Sequence, residues 1–146
     1  MNWLPRSSVV VPIDFSESSA DALRTALELS ADAGQIHVLH VLVPLDLVMP
    51  GSFAIAADED QRLQAARDRL TSFVAEHQLA GCHVEVRLGD PGLDITDYAA
   101  EVKAGLIVIP SHGYHGVKRF LLGSVAERVL RHAHCDVLVL RRRDAE

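Results

Sequence analysis

Five short runs rich in Val, Ile and Leu alternate along this chain with segments whose apolar residues recur at helical spacing. Strands that are apolar at almost every position are typical of a sheet that is buried on both faces. When such strands alternate with helices, right-handed crossovers produce a parallel sheet with helices on both sides. We therefore predict an α/β fold with a single doubly wound, five-stranded parallel sheet. The predicted strands are Ser7–Asp14, Ile36–Val43, Cys82–Leu88, Leu106–Ile109 and Asp136–Arg141.

Four helices are predicted between these strands from the period of their apolar residues. The first covers Ser16–Ala33 and ends at Gly34, since glycine commonly follows a helix C-terminus. A long second helix is followed by a third over Leu93–Val102 and a fourth over Val125–His132. The third strand alternates polar and apolar residues, which predicts an edge of the sheet. The stripes expected to face the core are Ala20, Leu23 and Leu27; Leu63, Ala66, Leu70, Phe73 and His77; and Ile95, Ala99 and Val102.

The composition limits the kind of protein and its partners. Hydrophobic residues make up 49% and charged residues 23% of the chain, which is ordinary for a globular protein. Residues 1–146 are predicted to form one domain, without an internal repeat or a linker. The formal net charge of −6 argues against nucleic acid as a partner, because phosphate backbones attract basic surfaces. No apolar stretch is long enough for a membrane span, so no membrane association is expected.

The compartment is predicted from two further features. No secretory signal is visible ahead of the first strand, which indicates a cytoplasmic protein. Cys82 and Cys135 form no closely spaced pair and are therefore expected to be free thiols. A cluster of His132, His134 and Cys135 has no partner pair elsewhere in the sequence, so no metal site is predicted.

A glycine-rich segment at 111–125 lies between the fourth strand and the last helix. Ligands of open α/β sheets bind beyond the carboxyl ends of strands, where this segment begins. The residues leave two interpretations open. Ser124 can cap the helix, with Glu127 completing a capping box, and this needs no ligand. Alternatively, the unpaired N–H groups of the first helical turn bind an anion, which the glycines at 113, 116 and 123 allow to approach closely.

The stretches VVVPIDFSESSADAL at 9–23 and SHGYHGVKRFLLGSVAERVLRHAHCDVLVLR at 111–141 resemble the two ends of the universal stress protein family. They occur in the family's order and spacing, and the resemblance extends over the whole chain. It implies the strand order 3-2-1-4-5, in which strands one and four are neighbours. It also implies a homodimer, often paired through the last strand.

Part of that family binds ATP through the pattern G-x2-G-x9-G-[S/T]. On this chain the second glycine is Gly113, and nine residues separate it from Gly123 and Ser124. The first position of the pattern is Pro110 instead of glycine. Because proline has no N–H and a fixed φ, one donor or one close approach near the ribose or first phosphate is lost. The phosphate cradle itself is retained.

The resemblance also implies a role for each residue around an adenine nucleotide. Pro12, Ile13 and Asp14 would lie along the adenosine, and Val41 would pack on the adenine. Val41 is equally a core strand residue, and Asp14 is equally a candidate cap of the first helix. The full set of predicted nucleotide-binding residues is Pro12, Ile13, Asp14, Val41, Pro110, His112, Gly113, Gly123, Ser124, Val125 and Ala126.

These observations favour a stress-response dimer that binds ATP, or ADP or AMP, as a regulatory ligand. Any Mg²⁺ would be held mainly by the phosphates. A side chain at position 123 is expected to fill the phosphate space. One alternative is a nucleotide-free homodimeric interaction protein, with Pro110 marking loss of the site. A second is a slow nucleotide hydrolase that uses His112. The chain lacks a complete P-loop and a nucleophile elbow, so no catalytic residue is predicted.

Overall fold

The computed structural model describes residues 2–45, 55–112 and 122–141, with the backbone alone at 55–57. Its elements follow the predicted alternation of strands and helices. In chain order they are β1 (Val9–Pro12), α1 (Glu17–Leu29), a short 3-10 helix (Ala33–Gln35), β2 (Ile36–Leu42), α2 (Ile55–Glu76), β3 (His83–Leu88), α3 (Pro91–Glu101), β4 (Leu106–Pro110), α4 (Ser124–His132) and β5 (Asp136–Leu140).

The five strands form one parallel sheet in the order β3-β2-β1-β4-β5. This confirms the predicted fold class, the strand order and the position of β3 at an edge. Strand order reverses between β1 and β4. The chain adds β2 and β3 on one side of β1 and then crosses over to add β4 and β5 on the other side. Their register begins at Val9 opposite Leu106 and continues with Val10 opposite Ile107. The paired residues end there, and a cavity lies beyond them at the carboxyl ends of both strands.

The sheet separates two apolar clusters, one on each face. Val9, Val11, Val38 and Val108 belong to the first cluster, which α1 and α2 cover. The alternate strand residues belong to the second cluster, which α3 and α4 cover. Its fully or almost fully buried members are Val10, Leu39, Ile95, Tyr98, Ala99, Ile107, Ile109, Ala126 and Val129. The strands are apolar at successive positions because each face of the sheet is buried under a helical layer.

The first helix ends earlier than its sequence predicts. It stops at Leu29 with Ser30 as its C-cap, and Gly34 lies in the 3-10 helix that follows. Leu27 was expected on the buried stripe but is 38% exposed, whereas Ala22 and Ala26 are buried. The buried stripe is thus shifted around the helix relative to the predicted one.

The third helix begins earlier than predicted, at Pro91 rather than Leu93. The Asp90 side chain caps it by accepting a hydrogen bond from the Leu93 N–H at 3.1 Å. Proline at the first helical position loses no helical hydrogen bond, because N–H groups of the first turn have no partner within the helix. The Asp90-Pro91-Gly92 sequence therefore starts this helix.

Cys82 and Cys135 are free thiols, as predicted, and each is half-buried. Burial raises the pKa of both thiols above the usual value. Across the described ranges, the helices are too short or too polar to cross a membrane.

Candidate functional site

A cavity of about 540 Å³ opens at the carboxyl ends of β1 and β4. Its volume falls within the range that small-molecule sites occupy. The position agrees with the general rule that open α/β sheets bind ligands where strand order reverses. Its described lining residues are Pro12, Ile13, Asp14, Ser19, Leu39, His40, Val41, Val43, Pro91, Ile95, Ile109, Pro110, Ser111, His112, Gly123, Ser124, Val125 and Ala126.

The cavity brings together ten of the eleven residues that were predicted to bind a nucleotide. Pro12, Ile13 and Asp14 come from the end of β1, and Val41 comes from the end of β2. The end of β4 and the start of α4 supply the other six. The eleventh, Gly113, lies outside the described residues.

Several lining residues were missed by the sequence interpretation. Ser19, on α1, is 1% exposed and lies five residues after Asp14. Its spacing is the sequence signal that could have identified it, because Ser19 lies four residues before Leu23 and so on the same side of the helix. Pro91 and Ile95 enter from α3, and no sequence motif indicated that this helix reaches the crevice.

Asp14 is held by the first turn of α1. Its Oδ1 accepts hydrogen bonds from the Ser16 N–H at 3.0 Å, from the Ser16 hydroxyl and from the Ser19 hydroxyl. The backbone N–H of Asp14 donates to the Ser19 Oγ at 2.9 Å. Ser16, not Asp14, is the N-cap of α1. The interpretation of Asp14 as a helix cap is therefore wrong, and the turn instead fixes its carboxylate at the cavity.

Phe15 adopts φ +66°, a left-handed conformation that bulky residues rarely take. Such strain persists only where surrounding contacts impose it. Here the Phe15 ring packs on His40 at 4.8 Å and edge-to-face on Phe73 at 5.7 Å, measured between centroids. His40 Nδ1 is 2.6 Å from the carbonyl oxygen of Ile13. Packing and hydrogen bonding together thus fix the backbone that carries Asp14.

The N-terminus of α4 also faces the cavity. Gly123 is its N-cap and makes no side-chain cap hydrogen bond, so the prediction that Ser124 caps the helix is wrong. Ser124, Val125 and Ala126 occupy the first turn and line the cavity. Backbone N–H groups in a first turn have no acceptor within the helix, and they lie at the positive end of the helix dipole. This end of α4 is therefore able to bind an anion.

His112 is buried in the cavity wall, with 8% of its surface exposed. Its Nδ1 is 3.1 Å from the Ser111 Oγ. Its Nε2 has no hydrogen-bond partner, and among the described side chains it is the buried polar atom left in that state. A buried polar atom without a partner costs about 1–3 kcal/mol. Such an atom is expected to have a function at the site that compensates for this cost.

Val41 serves both roles that the sequence left open. It is half-buried against the α3/α4 side of the core and also lines the cavity. With Leu39, Ile95 and Ile109 it forms an apolar wall beside the polar end at α4. A cavity with an apolar wall and a small number of polar groups is typical of a site for a small organic ligand.

No Lys or Arg occurs among the described residues that line the cavity. The negative charge of Asp14 and the positive end of α4 are its main fixed electrostatic features. Within the described ranges, no group of three or more His, Cys, Asp or Glu side chains is arranged to hold a metal ion.

An ion pair connects α4 to the start of α3. Arg128 Nη1 lies 2.6 Å from Asp90 Oδ2, and a Cβ on Gly92 would be 2.8 Å from the Arg128 Cβ. Burial opposes ionisation of Asp90, but hydrogen bonds from Arg128 and from backbone N–H groups outweigh it and lower its pKa. The two helices that enclose one side of the cavity are thus held close together.

A doubly wound parallel sheet with a cavity at its switch point defines a class of α/β ligand-binding proteins. The sequence profile of the universal stress protein family matches residues 5–141. The chain belongs to this family.

Individual relatives agree with the family assignment. The chain is 33% identical over 138 residues to universal stress protein MJ0531 of Methanocaldococcus jannaschii, covering 92% of this chain and 81% of that protein. The solved structure of protein MJ0577 superposes with a TM-score of 0.81 at 25% identity, covering 97% of this chain and all of that one.

Two solved relatives contain adenine nucleotides. A universal stress protein in complex with cAMP has a TM-score of 0.58 and 25% identity, covering 93% of this chain and 97% of that one. The universal stress protein of Archaeoglobus fulgidus in complex with dAMP has a TM-score of 0.57 and 28% identity, covering 93% and 98%.

Proposed function

We propose that this protein binds an adenine nucleotide in the cavity between β1 and β4, and that the nucleotide is a regulatory ligand. The observation that carries the proposal is the buried Nε2 of His112, which has no partner in the described structure and lines the cavity. A ligand group at hydrogen-bonding distance would satisfy this atom. The binding of cAMP and dAMP by two relatives supports an adenine nucleotide as that ligand.

The two ends of the cavity suit the two ends of a nucleotide. The apolar wall that includes Val41 and Ile95 suits a purine ring. The first turn of α4, from Ser124 to Ala126, suits a phosphate group because it offers N–H donors and a positive dipole end. Asp14 is an acceptor for a hydroxyl or amino group of the nucleoside.

The charge of the cavity bears on the number of phosphates. Because no Lys or Arg lines the described part of it, one phosphate is balanced more easily than three. We propose that AMP binds without a metal, whereas ATP binds together with Mg²⁺ held mainly by its own phosphates.

The proposed regulatory role requires that binding change an assembly. We propose a homodimer that pairs through β5, which is an edge strand with half-exposed residues from Val137 to Leu140. β5 pairs with β4, and the residues just after β4 line the cavity. A nucleotide would therefore affect the strand next to the proposed dimer interface.

Isothermal titration calorimetry with AMP, ADP, ATP and cAMP, each with and without Mg²⁺, tests this function. We expect saturable binding of at least one adenine nucleotide. We also expect a higher unfolding temperature, since a hundredfold excess over Kd stabilises by about 2.7 kcal/mol. His112→Leu should weaken binding at least about tenfold while leaving the fold intact, because the ligand loses its hydrogen-bond partner at Nε2. His134→Gln, at an exposed position outside the cavity lining, is the matched control.

Two results would contradict the proposal. Absence of binding by every adenine nucleotide would favour a nucleotide-free interaction protein. Phosphate release that disappears in His112→Ala, with nucleotide affinity retained, would instead favour a slow hydrolase.

A further inference from the structure

The crevice lies where the β1–β4 ladder ends early. β1 pairs with β2 over four residues, and β4 pairs with β5 over five. Between β1 and β4, both interior strands, the register includes two pairs, of which Val10 opposite Ile107 is the last. A parallel ladder consists of evenly spaced hydrogen bonds, so it continues only while each strand supplies its N–H donors. The residues that follow Val10 and Ile107 therefore bear on why the ladder ends there.

The direction of the main chain at Pro12 follows from its neighbour. The Ile13 N–H donates to the Leu39 carbonyl of β2 at 2.8 Å, so the main-chain groups of Ile13 face β2. Along a parallel strand, the N–H and C=O groups of successive residues point alternately to the two sides. The main chain of Pro12 consequently faces β4.

The direction of the main chain at Pro110 follows in the same way from Ser111. The Ser111 N–H donates to the Leu140 carbonyl of β5 at 2.8 Å, so the main chain of Ser111 faces β5. The main chain of Pro110, one residue earlier, faces β1. Pro12 and Pro110 therefore face each other across the crevice.

Continuing the observed register identifies the missing hydrogen bonds. On β1, the next N–H donor after Val10 would be that of residue 12, which would donate to the carbonyl of Val108 on β4. The donor that follows on β4 would be residue 110, which would donate to the carbonyl of residue 12. Both donors are absent because both residues are proline. We propose that Pro12 and Pro110 together end the β1–β4 ladder and hold the crevice open, as positioning residues that preform the cavity.

This inference gives Pro110 a role that the family pattern does not suggest. Proline inside a sheet is normally confined to edges, strand starts and bulges, yet β1 and β4 are both interior strands. At these two positions proline removes only hydrogen bonds that would close the crevice. The carbonyls of Pro12 and Val108 still face it, as acceptors for a hydroxyl or amino group. The role of these acceptors in ligand binding rests on the proposed function, whereas the open ladder does not.

Alanine variants with NMR detection test the inference in the ligand-free protein. In Pro12→Ala, we expect a scalar coupling across a hydrogen bond between the new amide at position 12 and the Val108 carbonyl. We also expect the amide at position 12 to exchange at least about tenfold more slowly than an amide without a hydrogen-bond partner, such as the new amide of the control variant described below. In Pro110→Ala alone, the new amide at position 110 should exchange rapidly, because Pro12 still cannot make the preceding hydrogen bond to the Val108 carbonyl. In the double variant, both amides should be protected.

The control is Pro91→Ala. Pro91 also lines the cavity, but it is the first residue of α3 and has no strand partner. Its new amide should stay unprotected. Exchange at position 12 of Pro12→Ala as rapid as that at position 91 of the control, together with no coupling to Val108, would overturn the inference.

A binding measurement separates this inference from the proposed function. If the wild-type protein binds an adenine nucleotide, the double variant should bind it at least about tenfold more weakly, because the site is no longer preorganised. Undiminished affinity alongside two protected amides would show that the prolines do not preform the site. If the wild-type protein binds no nucleotide, the proposed function fails, and the amide data alone decide whether the prolines hold the crevice open.

Discussion

Gly123 joins the end of β4 to the start of α4. Its N–H donates to the Ser111 carbonyl oxygen at 2.6 Å, and a Cβ at this position would lie 2.8 Å from that oxygen and 3.3 Å from the His112 Cα. The nearest obstacle to a side chain is therefore the protein's own backbone. The sequence interpretation assigned this glycine to the phosphate space. The structure gives a different reason for it, which is the close contact between two backbone segments.

Gly123→Ala should therefore destabilise the protein even without a ligand. Relieving the contact requires the backbone to move, and we expect a loss of roughly 1–3 kcal/mol in the free energy of unfolding. Urea denaturation measures this loss. Gly34→Ala is the control, because its Cβ would approach only the Asp32 Oδ1, at 2.9 Å, and that side chain can rotate away. Equal stability of the two variants would contradict this account of Gly123.

The elements themselves could be predicted because their periodicity is local to the sequence. Their ends depend on contacts that are distant in the sequence. α1 ends at Leu29, where the Arg6 N–H donates to the Leu29 carbonyl at 2.7 Å. α4 begins after Gly123 because that residue is bonded to Ser111. Neither hydrogen bond has a signal in the local sequence, so the glycine and serine signals alone gave incorrect boundaries.

The candidate site shows the same division. Its position was predictable from the alternation of elements and from the two motif-bearing ends of the chain. The contributions of Ser19, His40 and α3 were not, because they depend on how helices pack over the crevice. The opposed directions of Pro12 and Pro110 likewise emerge only once the register is known.

The β2–β3 edge contains a pair of histidines that should make stability depend on pH. The His37 and His83 rings are stacked with centroids 4.5 Å apart, and His37 Nδ1 is 3.2 Å from the Tyr98 hydroxyl. Burial, and then the charge of His83, lower the pKa of His37 below its ordinary value of 6.5. The unfolded chain therefore binds a proton at His37 more readily than the folded protein does.

Stability should consequently fall as the pH drops below about 6.5, in the range where the unfolded state binds more protons. Urea unfolding at pH values of about 7.5 and about 5.5 measures the effect. His37→Phe retains an aromatic ring and should reduce the difference between the two pH values. His132→Gln, at an exposed position, should leave this difference in stability unchanged. An unchanged pH dependence in His37→Phe would show that His37 does not titrate as described.

At the scale of the whole molecule, the proposed dimer places two edge strands together. Leu140 accepts from Ser111, so its main chain faces β4, and that of Val139 faces outward from the sheet. An outward N–H at an edge is available to a second copy of the chain.

Val139→Pro should therefore weaken the dimer without breaking the β4–β5 ladder, because the hydrogen-bond donor that it removes points outward. The variant also loses packing of the Val139 side chain against the second cluster, so its folded state is checked first. We expect the dissociation constant of the dimer, measured by analytical ultracentrifugation, to rise at least about tenfold. Leu138→Pro removes an inward donor and should instead destabilise the fold. An unchanged dimer in a folded Val139→Pro variant would exclude β5 as the interface.

The most direct measurement follows the imidazole of His112 while a nucleotide is added. In nitrogen-15 NMR of the labelled protein titrated with AMP, the account predicts that His112 Nε2 and the backbone amides of Ser124, Val125 and Ala126 shift together and saturate at one equivalent. Calorimetric binding of AMP that leaves all four nitrogens unshifted would contradict it.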